Sequence, residues 1–413
     1  MISLSIYHSI LIIMKLYKNM DVSFGEKQRL AAVLLCVFSL SVIQVAYADA
    51  NDPLHVVAGV SRQHDDNLFR LSTAARGDNI NTAYVGIRLD KAYSLQRFKV
   101  DYTVTAHRYQ NNNNLNFNAQ DYKAAWLWNL TPYLKGVISA ERNQQLNDFQ
   151  DFRGFVKNVR VTQNQHFEAD YSPHGVWHLL GGVTRSELKN SQTFREEDNF
   201  SMNSLDAGVK YDFRSGSSIK LMEHSRRGRY DNRVLNASLF DTGFDEHEVE
   251  AKLDWLISGK SRLNLRTAYV NRQHDNFSQR DFSGMVGRVD YYWNPAAKLN
   301  LIFSASSDLG SYQTLDSSYT RNNALSITPV YAITDKINLR ANASISERTF
   351  LGQGPNPSIG RVDNSNSVGV GIDWTPYRYV ILGANLQHSR RNSNVSGLDY
   401  SDNIVGVSAD LNF

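Results

Sequence analysis

Tight turns recur along this chain about every forty residues, and that spacing restricts the fold more than any other feature. Four of them place an aromatic just ahead of a Pro turn: Trp128-Asn129-Leu130-Thr131-Pro132, Tyr171-Ser172-Pro173, Trp293-Asn294-Pro295 and Trp374-Thr375-Pro376. Four more use other turn chemistry, at Leu89-Asp90-Lys91, Phe213-Arg214-Ser215-Gly216, Ile257-Ser258-Gly259-Lys260 and Ile333-Thr334-Asp335-Lys336. The turns sit near positions 90, 132, 173, 215, 258, 295, 334 and 376, so successive gaps run from 37 to 43 residues. Half of such a gap holds about ten strand residues and half a loop, the length of a strand tilted across a bilayer.

Between the turns, apolar and polar residues take alternate positions, which is the period of a strand and not of a helix. Ala83, Val85, Ile87 and Leu89 alternate with Tyr84, Gly86 and Arg88; Phe98, Val100, Tyr102 and Val104 alternate with Lys99, Asp101, Thr103 and Thr105. The same holds for Val249, Ala251, Leu253 and Trp255, and for Ile337, Leu339, Ala341, Ala343 and Ile345. The other half of each repeat is loose and polar, as in Gln110 to Asn114, Arg226-Arg227-Gly228-Arg229-Tyr230, and Gly352 to Gly360. Tight turns at one end and longer polar loops at the other predict an all-β fold, a transmembrane antiparallel up-and-down β-barrel with short periplasmic turns and longer extracellular loops. Eight turns joining strands 2–3 through 16–17, with one strand before and one after, give about 18 strands.

The chain ends Val405, Val407, Ala409, Leu411 and Phe413 on one face, with Gly406, Ser408, Asp410 and Asn412 between them. This last strand is expected to pair with the first, because an unpaired edge is intolerable in lipid. Leu411 and Phe413 are read as an outer-membrane insertion signal, which makes the bacterial outer membrane, its lipid and the insertion machinery the expected surroundings.

Composition agrees with a barrel lined by water and faced by lipid. Mean hydropathy is -0.42, which excludes a helical membrane protein. Tyr and Phe are abundant, at 21 and 19, and the net charge of +3 predicts no nucleic-acid partner. Residues 1–26 read as an upstream extension. Residues 27–48 read as a signal peptide, with Lys27 and Arg29 ahead of an apolar run that contains Cys36 and an Ala46-Tyr47-Ala48 site behind it. The barrel is expected over 49–413, without cysteine.

If the apolar set faces lipid, the alternate set faces the lumen. The candidates are Arg88, Lys99, Asp101, Lys210, Glu250, Lys252, Arg266, Arg288 and Arg340, joined by Lys135, Asp170, Asp206, Asp254, Asp290 and Asp410. Both signs are interleaved, so neighbouring strands are expected to pair opposite charges. Barrels of this size leave a water-filled channel, and no loop is long enough for a large plug. Aromatics beside Arg in Phe152-Arg153, Arg229-Tyr230 and Arg348-Thr349-Phe350 offer sugar-stacking platforms or interfacial girdle positions. No catalytic residue, metal site or cofactor is expected. His174 and His178 lie on a turn-to-strand segment that does not aim both at one metal, Ser, His and Asp are too common to nominate a triad, and Gly369-x-Gly371 lacks a phosphate-loop context.

Several segments, in order along the chain, resemble the EpsL-type outer-membrane barrel proteins of exopolysaccharide operons, associated with exosortase and PEP-CTERM gene clusters. They are Asp65-Asp66-Asn67-Leu68-Phe69-Arg70-Leu71-Ser72, Gln96-Arg97-Phe98, Leu130-Thr131-Pro132, Asp151-Phe152-Arg153-Gly154, Trp177-His178-Leu179, Asn190-Ser191-Gln192, Gly259-Lys260-Ser261, Arg280-Asp281-Phe282-Ser283-Gly284 and Ser311-Tyr312-Gln313. The resemblance implies a role in exporting or assembling a secreted polysaccharide, with the polymer and periplasmic polysaccharide-export proteins as partners, and it brings no catalytic residues. The expected function is a passive conduit for the polymer. The alternatives are a docking or structural barrel for a separate export channel, or a general solute porin.

Overall fold

The computed structural model describes residues 53–151, 154–193, 198–235, 240–314, 316–352 and 360–413. The extension over 1–26, the signal peptide over 27–48, the Phe152–Arg153 pair and most of the Gly352 to Gly360 loop lie outside the described residues.

Pro53–Asn412 forms one compact unit containing an 18-stranded sheet closed on itself. The strands are β1 (Leu54–Asp65), β2 (Asp78–Tyr93), β3 (Gln96–Tyr109), β4 (Phe117–Thr131), β5 (Leu134–Leu146), β6 (Val159–Tyr171), β7 (Trp177–Asn190), β8 (Phe200–Asp212) and β9 (Ser218–Tyr230). They continue as β10 (Gly243–Ser258), β11 (Ser261–His274), β12 (Phe282–Ala296), β13 (Leu299–Ser311), β14 (Tyr319–Thr334), β15 (Ile337–Leu351), β16 (Val362–Tyr377), β17 (Val380–Ser393) and β18 (Tyr400–Asn412). Every strand is antiparallel to its neighbours. The ring closes where β1 pairs with β18, in register from Val57↔Asn412 to Asp65↔Ile404. The strand number and the pairing of the last strand with the first are as the sequence predicts, but two local readings differ. Leu89-Asp90-Lys91 continues β2, paired with Val100, Lys99 and Phe98, so the first tight turn is Ser94-Leu95. Arg226–Tyr230, expected in a loop, belongs to β9 because alternation carries on through its arginines.

Alternation assigns the two faces. Ile87, Leu205, Val249, Leu325, Ile345, Val368 and Val405 all point outward and are exposed in the bare chain, where lipid would cover them. Val407 on this outer face is 58% exposed, whereas Glu250 on the inner face of β10 is 3% exposed. Leu411 lies on the outer face, opposite Ala58 and Val380. At the turn end, Tyr93, Tyr133, Tyr171, Trp177, Trp255, Trp293, Trp374, Tyr377 and Tyr379 form an exposed aromatic girdle, the position where amphipathic rings meet head groups. Trp128 is the exception: it is buried, and its indole covers Gly136 on β5. A Cβ there would stand 2.4 Å from the ring, so this approach requires glycine.

The register makes a sharp distinction between faces. Val407→Arg, outward and near mid-strand, is expected to cost roughly 2–4 kcal/mol of folding free energy in lipid vesicles. Ser326→Arg, inward on β14, is expected to change it little. Urea titration in vesicles checks both, and equal costs would contradict this assignment of faces.

Candidate functional site

Two adjoining sectors of the lumen wall differ in chemistry, and the strand register creates both. Across β8 to β12, Lys210, Lys220, Lys252, Arg266 and Arg288 stand abreast on the inner face. One level toward the turns come Asp212, Asp254 and Asp290, and toward the loops come Glu250, Glu248 and Glu246 on β10. Residues i and i+2 share a face of a strand, so most neutralisation runs along or diagonally between strands. Lys210 Nζ lies 2.9 Å from Asp212, Lys252 Nζ 2.8 Å from Glu250, and Arg288 Nε 2.7 Å from Asp290. Arg226 reaches both Glu246 and Glu248 at 2.7 Å, and Arg266 Nε reaches Glu250 at 2.5 Å and also contacts Glu248.

All nine lumen candidates occupy inward register positions, but they do not form one site. Lys210, Glu250, Lys252, Arg266 and Arg288 belong to this belt. Arg88 and Asp101 pair at 3.1 Å and Lys99 with Asp90 at 3.8 Å on β2–β3. Arg340 pairs with Asp373 at 2.5 Å on β15–β16. The sequence reading missed Lys220, His224, Arg226, Glu246, Glu248 and Arg272. The run Glu246-x-Glu248-x-Glu250-x-Lys252 carried the signal, since alternation puts all four on one face. His224, Glu248 and Glu250 bring ligand-type atoms within 4.8 Å of one another. Arg226, Arg266 and Lys252 contact the same two carboxylates, so their charge is met without a metal ion.

Between the Arg340–Asp373 pair toward the turns and Arg348, Asp363 and Arg391 toward the loops, the wall across β13 to β17 carries rows of hydroxyl groups. Ser304, Ser326, Ser344, Ser367 and Ser389 stand side by side, one per strand. Ser306, Ala324, Ser346 and Ser365 form the row nearer the loops.

Two buried apolar clusters lie at the loop end. Leu68, Phe69, Tyr109, Leu115 and Phe149 form one, and Ala268, Val270, Phe282 and Val286 the other. The described residues of the loop between β5 and β6, 147–151 and 154–158, lie inward at the mouth: Phe149 and Phe155 pack on Phe69 at 4.8 Å, and Asp151 reaches Arg348 on the far wall at 2.9 Å. A short loop thus narrows the mouth without being a large plug. Two of the three expected stacking platforms, Tyr230 and Phe350, are already occupied from within. Arg233 lies 4.0 Å over Tyr230 and Arg361 4.1 Å over Phe350, and both rings are buried, which excludes the girdle role as well.

Buried polar residues fasten neighbouring loops, and several belong to the segments that carry the family resemblance. Asn67 Nδ2 donates to Ser401 O of β18 at 2.9 Å, and Asn403 N donates to Asp66, so the first motif holds the barrel's closing seam. Arg280 Nη1 donates to Thr314 O and Ser317 O at 2.9 and 2.6 Å. Asp241, fully buried between β9 and β10, accepts from the backbone N–H groups of Asn276 and Phe277 at 2.9 and 2.8 Å. Burial by itself would raise the Asp241 pKa. The Asn276 side chain and the backbone N–H groups of Asn276, Gly243 and Phe277 outweigh it and hold the carboxyl below its ordinary value.

Residues 188–413, more than half of the 413, match the family described as "Putative beta-barrel porin 2". The chain belongs to that porin family. Its fold is similar to that of two Pseudomonas aeruginosa outer-membrane proteins of known structure. OccK1 (OpdK) shares 10% identity at a TM-score of 0.50, over 87% of this chain and 99% of that one. OccK9 (OpdG) shares 12% identity at 0.51, over 87% and 98%. No curated protein matches the sequence. A closed barrel with an apolar outer band and an aromatic girdle, in a porin family, resides in the outer membrane.

The loop fastening has a pH signature. A carboxylate with a depressed folded pKa stabilises above its unfolded value, about 3.9, and that contribution is lost as the pH falls through the folded value. Protection of the Asn276 and Phe277 amides, read by hydrogen exchange corrected for intrinsic rate, is expected to hold from pH 7 to 5 and fall only below about pH 4. Asp241→Ala, which orphans these donors, is expected to cost about 1–3 kcal/mol of local opening free energy across the range.

Proposed function

We propose that this porin-family barrel is a passive outer-membrane pore for a polyhydroxylated solute, an exopolysaccharide chain by the sequence resemblance. The observation that carries the reading is the abreast row Ser304, Ser326, Ser344, Ser367 and Ser389. Each hydroxyl both donates and accepts, so the row exchanges hydrogen bonds with successive sugar hydroxyls without binding any one ring tightly. The paired charges of the adjoining β8–β12 sector keep the lumen hydrated while leaving few free charges to trap a polymer. In this reading the barrel performs no chemical step and needs no cofactor. Its partners are the polymer, outer-membrane lipid, periplasmic polysaccharide-export proteins and, through Leu411 and Phe413, the insertion machinery.

The inward loop between β5 and β6 favours a second reading, a porin for small solutes, because a narrowed mouth suits a monomer better than a thick chain. Planar-bilayer recording separates the readings. Steady conductance blocked by the native exopolysaccharide, and not by monosaccharides, is the expected result. Block by small sugars alone indicates a small-solute porin, and absence of conductance indicates a docking barrel.

A further inference from the structure

Asp151 leaves the wall between β5 and β6 and meets strands six to eight places round the ring, counting back through β1 and β18 to β17 and β15. Its Oδ2 accepts from Arg348 Nη1 at 2.9 Å, and its Oδ1 lies 3.7 Å from both Arg361 and Arg391. Asp363, itself 3% exposed, is the fixed counter-charge for two of these arginines: it stands 2.5 Å from Arg361 and 3.8 Å from Arg391, and accepts from Ser393 Oγ at 2.7 Å. Among the described residues, the ion pair of Arg348 is with Asp151. Three guanidinium groups thus share one built-in carboxylate and one carried on a loop. The loop carboxylate is 34% exposed, whereas the Arg391 side chain is 2% exposed. A cation so buried requires an anionic partner, and the loop supplies one that can leave.

Beneath this cluster lies a cavity of about 270 Å³ lined by Gln150, Asn322, Ser346, Ser365, Gln387 and Ser389. That is just under the roughly 300–1,000 Å³ usual for small-molecule sites and is the size of a single sugar unit. Its lining is mostly hydroxyl and amide, with Arg348, Arg390 and Arg391 as cations and Asp363 as the one carboxylate. A solute that fits it has many hydroxyls and one carboxylate.

We propose that Arg348, Arg361 and Arg391, with the cavity below them, form a subsite for an acidic sugar, a uronate, whose carboxylate replaces that of Asp151. Planar carboxylates make the same charge-assisted contacts to guanidinium groups whether they arrive on a side chain or on a sugar. Replacement releases the Asp151 side chain from the opposite wall, while Arg391 Nη2 still donates to Gln150 O at 2.9 Å and keeps the loop backbone at the site. The choice of a sugar rests on the saccharide reading above; the binding itself requires no transport.

The test uses the folded full-length mature barrel in detergent, titrated with glucuronate, glucose, a galacturonate oligomer and its neutral galactose counterpart. At least one uronate is expected to bind tenfold or more tightly than its neutral partner. A preference seen in the monomer indicates a free acidic sugar as ligand, and one seen only in the oligomer indicates a polyuronate chain. Arg348→Gln is expected to abolish the preference, and Asp151→Asn, which removes the internal competitor, to strengthen uronate binding several-fold. Heat-modifiable gel mobility establishes that each variant is folded. No uronate preference in either the wild type or Asp151→Asn overturns the proposal and makes the cluster a structural fastening. A barrel that conducts and is blocked by neutral polymer, yet shows no such preference, overturns the subsite alone. One that binds uronate selectively and does not conduct overturns the pore reading and leaves the subsite standing.

Discussion

Backbone hydrogen bonding in a solvent that offers none is the constraint on which the rest of this structure depends. Each N–H and C=O in the hydrocarbon layer must find a partner in the protein, and a sheet meets that demand only when its last strand returns to its first. β18 does so against β1 from Val57↔Asn412 to Asp65↔Ile404. Closure then dictates much else: an even strand number, one wet and one lipid-facing side on every strand, and all tight turns at one end.

A ring of 18 strands is too wide for its own side chains to fill, so the interior cannot be a hydrophobic core. The buried apolar side chains accordingly gather in two small clusters, one built largely from loop residues around Phe69 and Phe149 and one between strands around Val270 and Phe282. The wall between is held by polar interactions instead. Lys210, Lys252 and Arg288 find their counter-charges two residues away on the same strand, because those side chains lie on the same side of the pleat. The belt of cations and the row of serines are two sectors of one wall that adjoin at β12–β13, so a solute passing along it meets paired charges and hydroxyl groups side by side.

The loop end is more ordered than its Asn- and Gly-rich sequence suggests. Asp78 gathers the N–H groups of Asn111 and Asn112, and Asp241 those of Asn276 and Phe277. A buried carboxylate that accepts several N–H groups replaces the secondary structure these segments lack. Asp151 differs from these fastenings in being partly exposed and in crossing the lumen, so it is the one best placed to exchange its arginine partners for a ligand.

Local pattern alone was enough to read the barrel. Alternation such as Val249, Ala251, Leu253 and Trp255, and turns such as Trp374-Thr375-Pro376, depend only on neighbours in the chain, and from them the strand count, the closing strand and the inward set with Arg88, Lys252 and Arg340 follow. Which inward residues stand together was not legible. That Lys210, Lys220, Lys252, Arg266 and Arg288 share a level, and that five serines do so on the next strands round the ring, is decided by the register between strands. Tyr230 and Phe350 looked like free platforms because a sequence does not show the guanidinium groups of Arg233 and Arg361 lying on them. The meeting of Asp151 with Arg348 joins residues nearly two hundred positions apart. Side-chain period is a property of the single strand and is written locally, whereas register and loop path are set only when all the strands close around a common lumen.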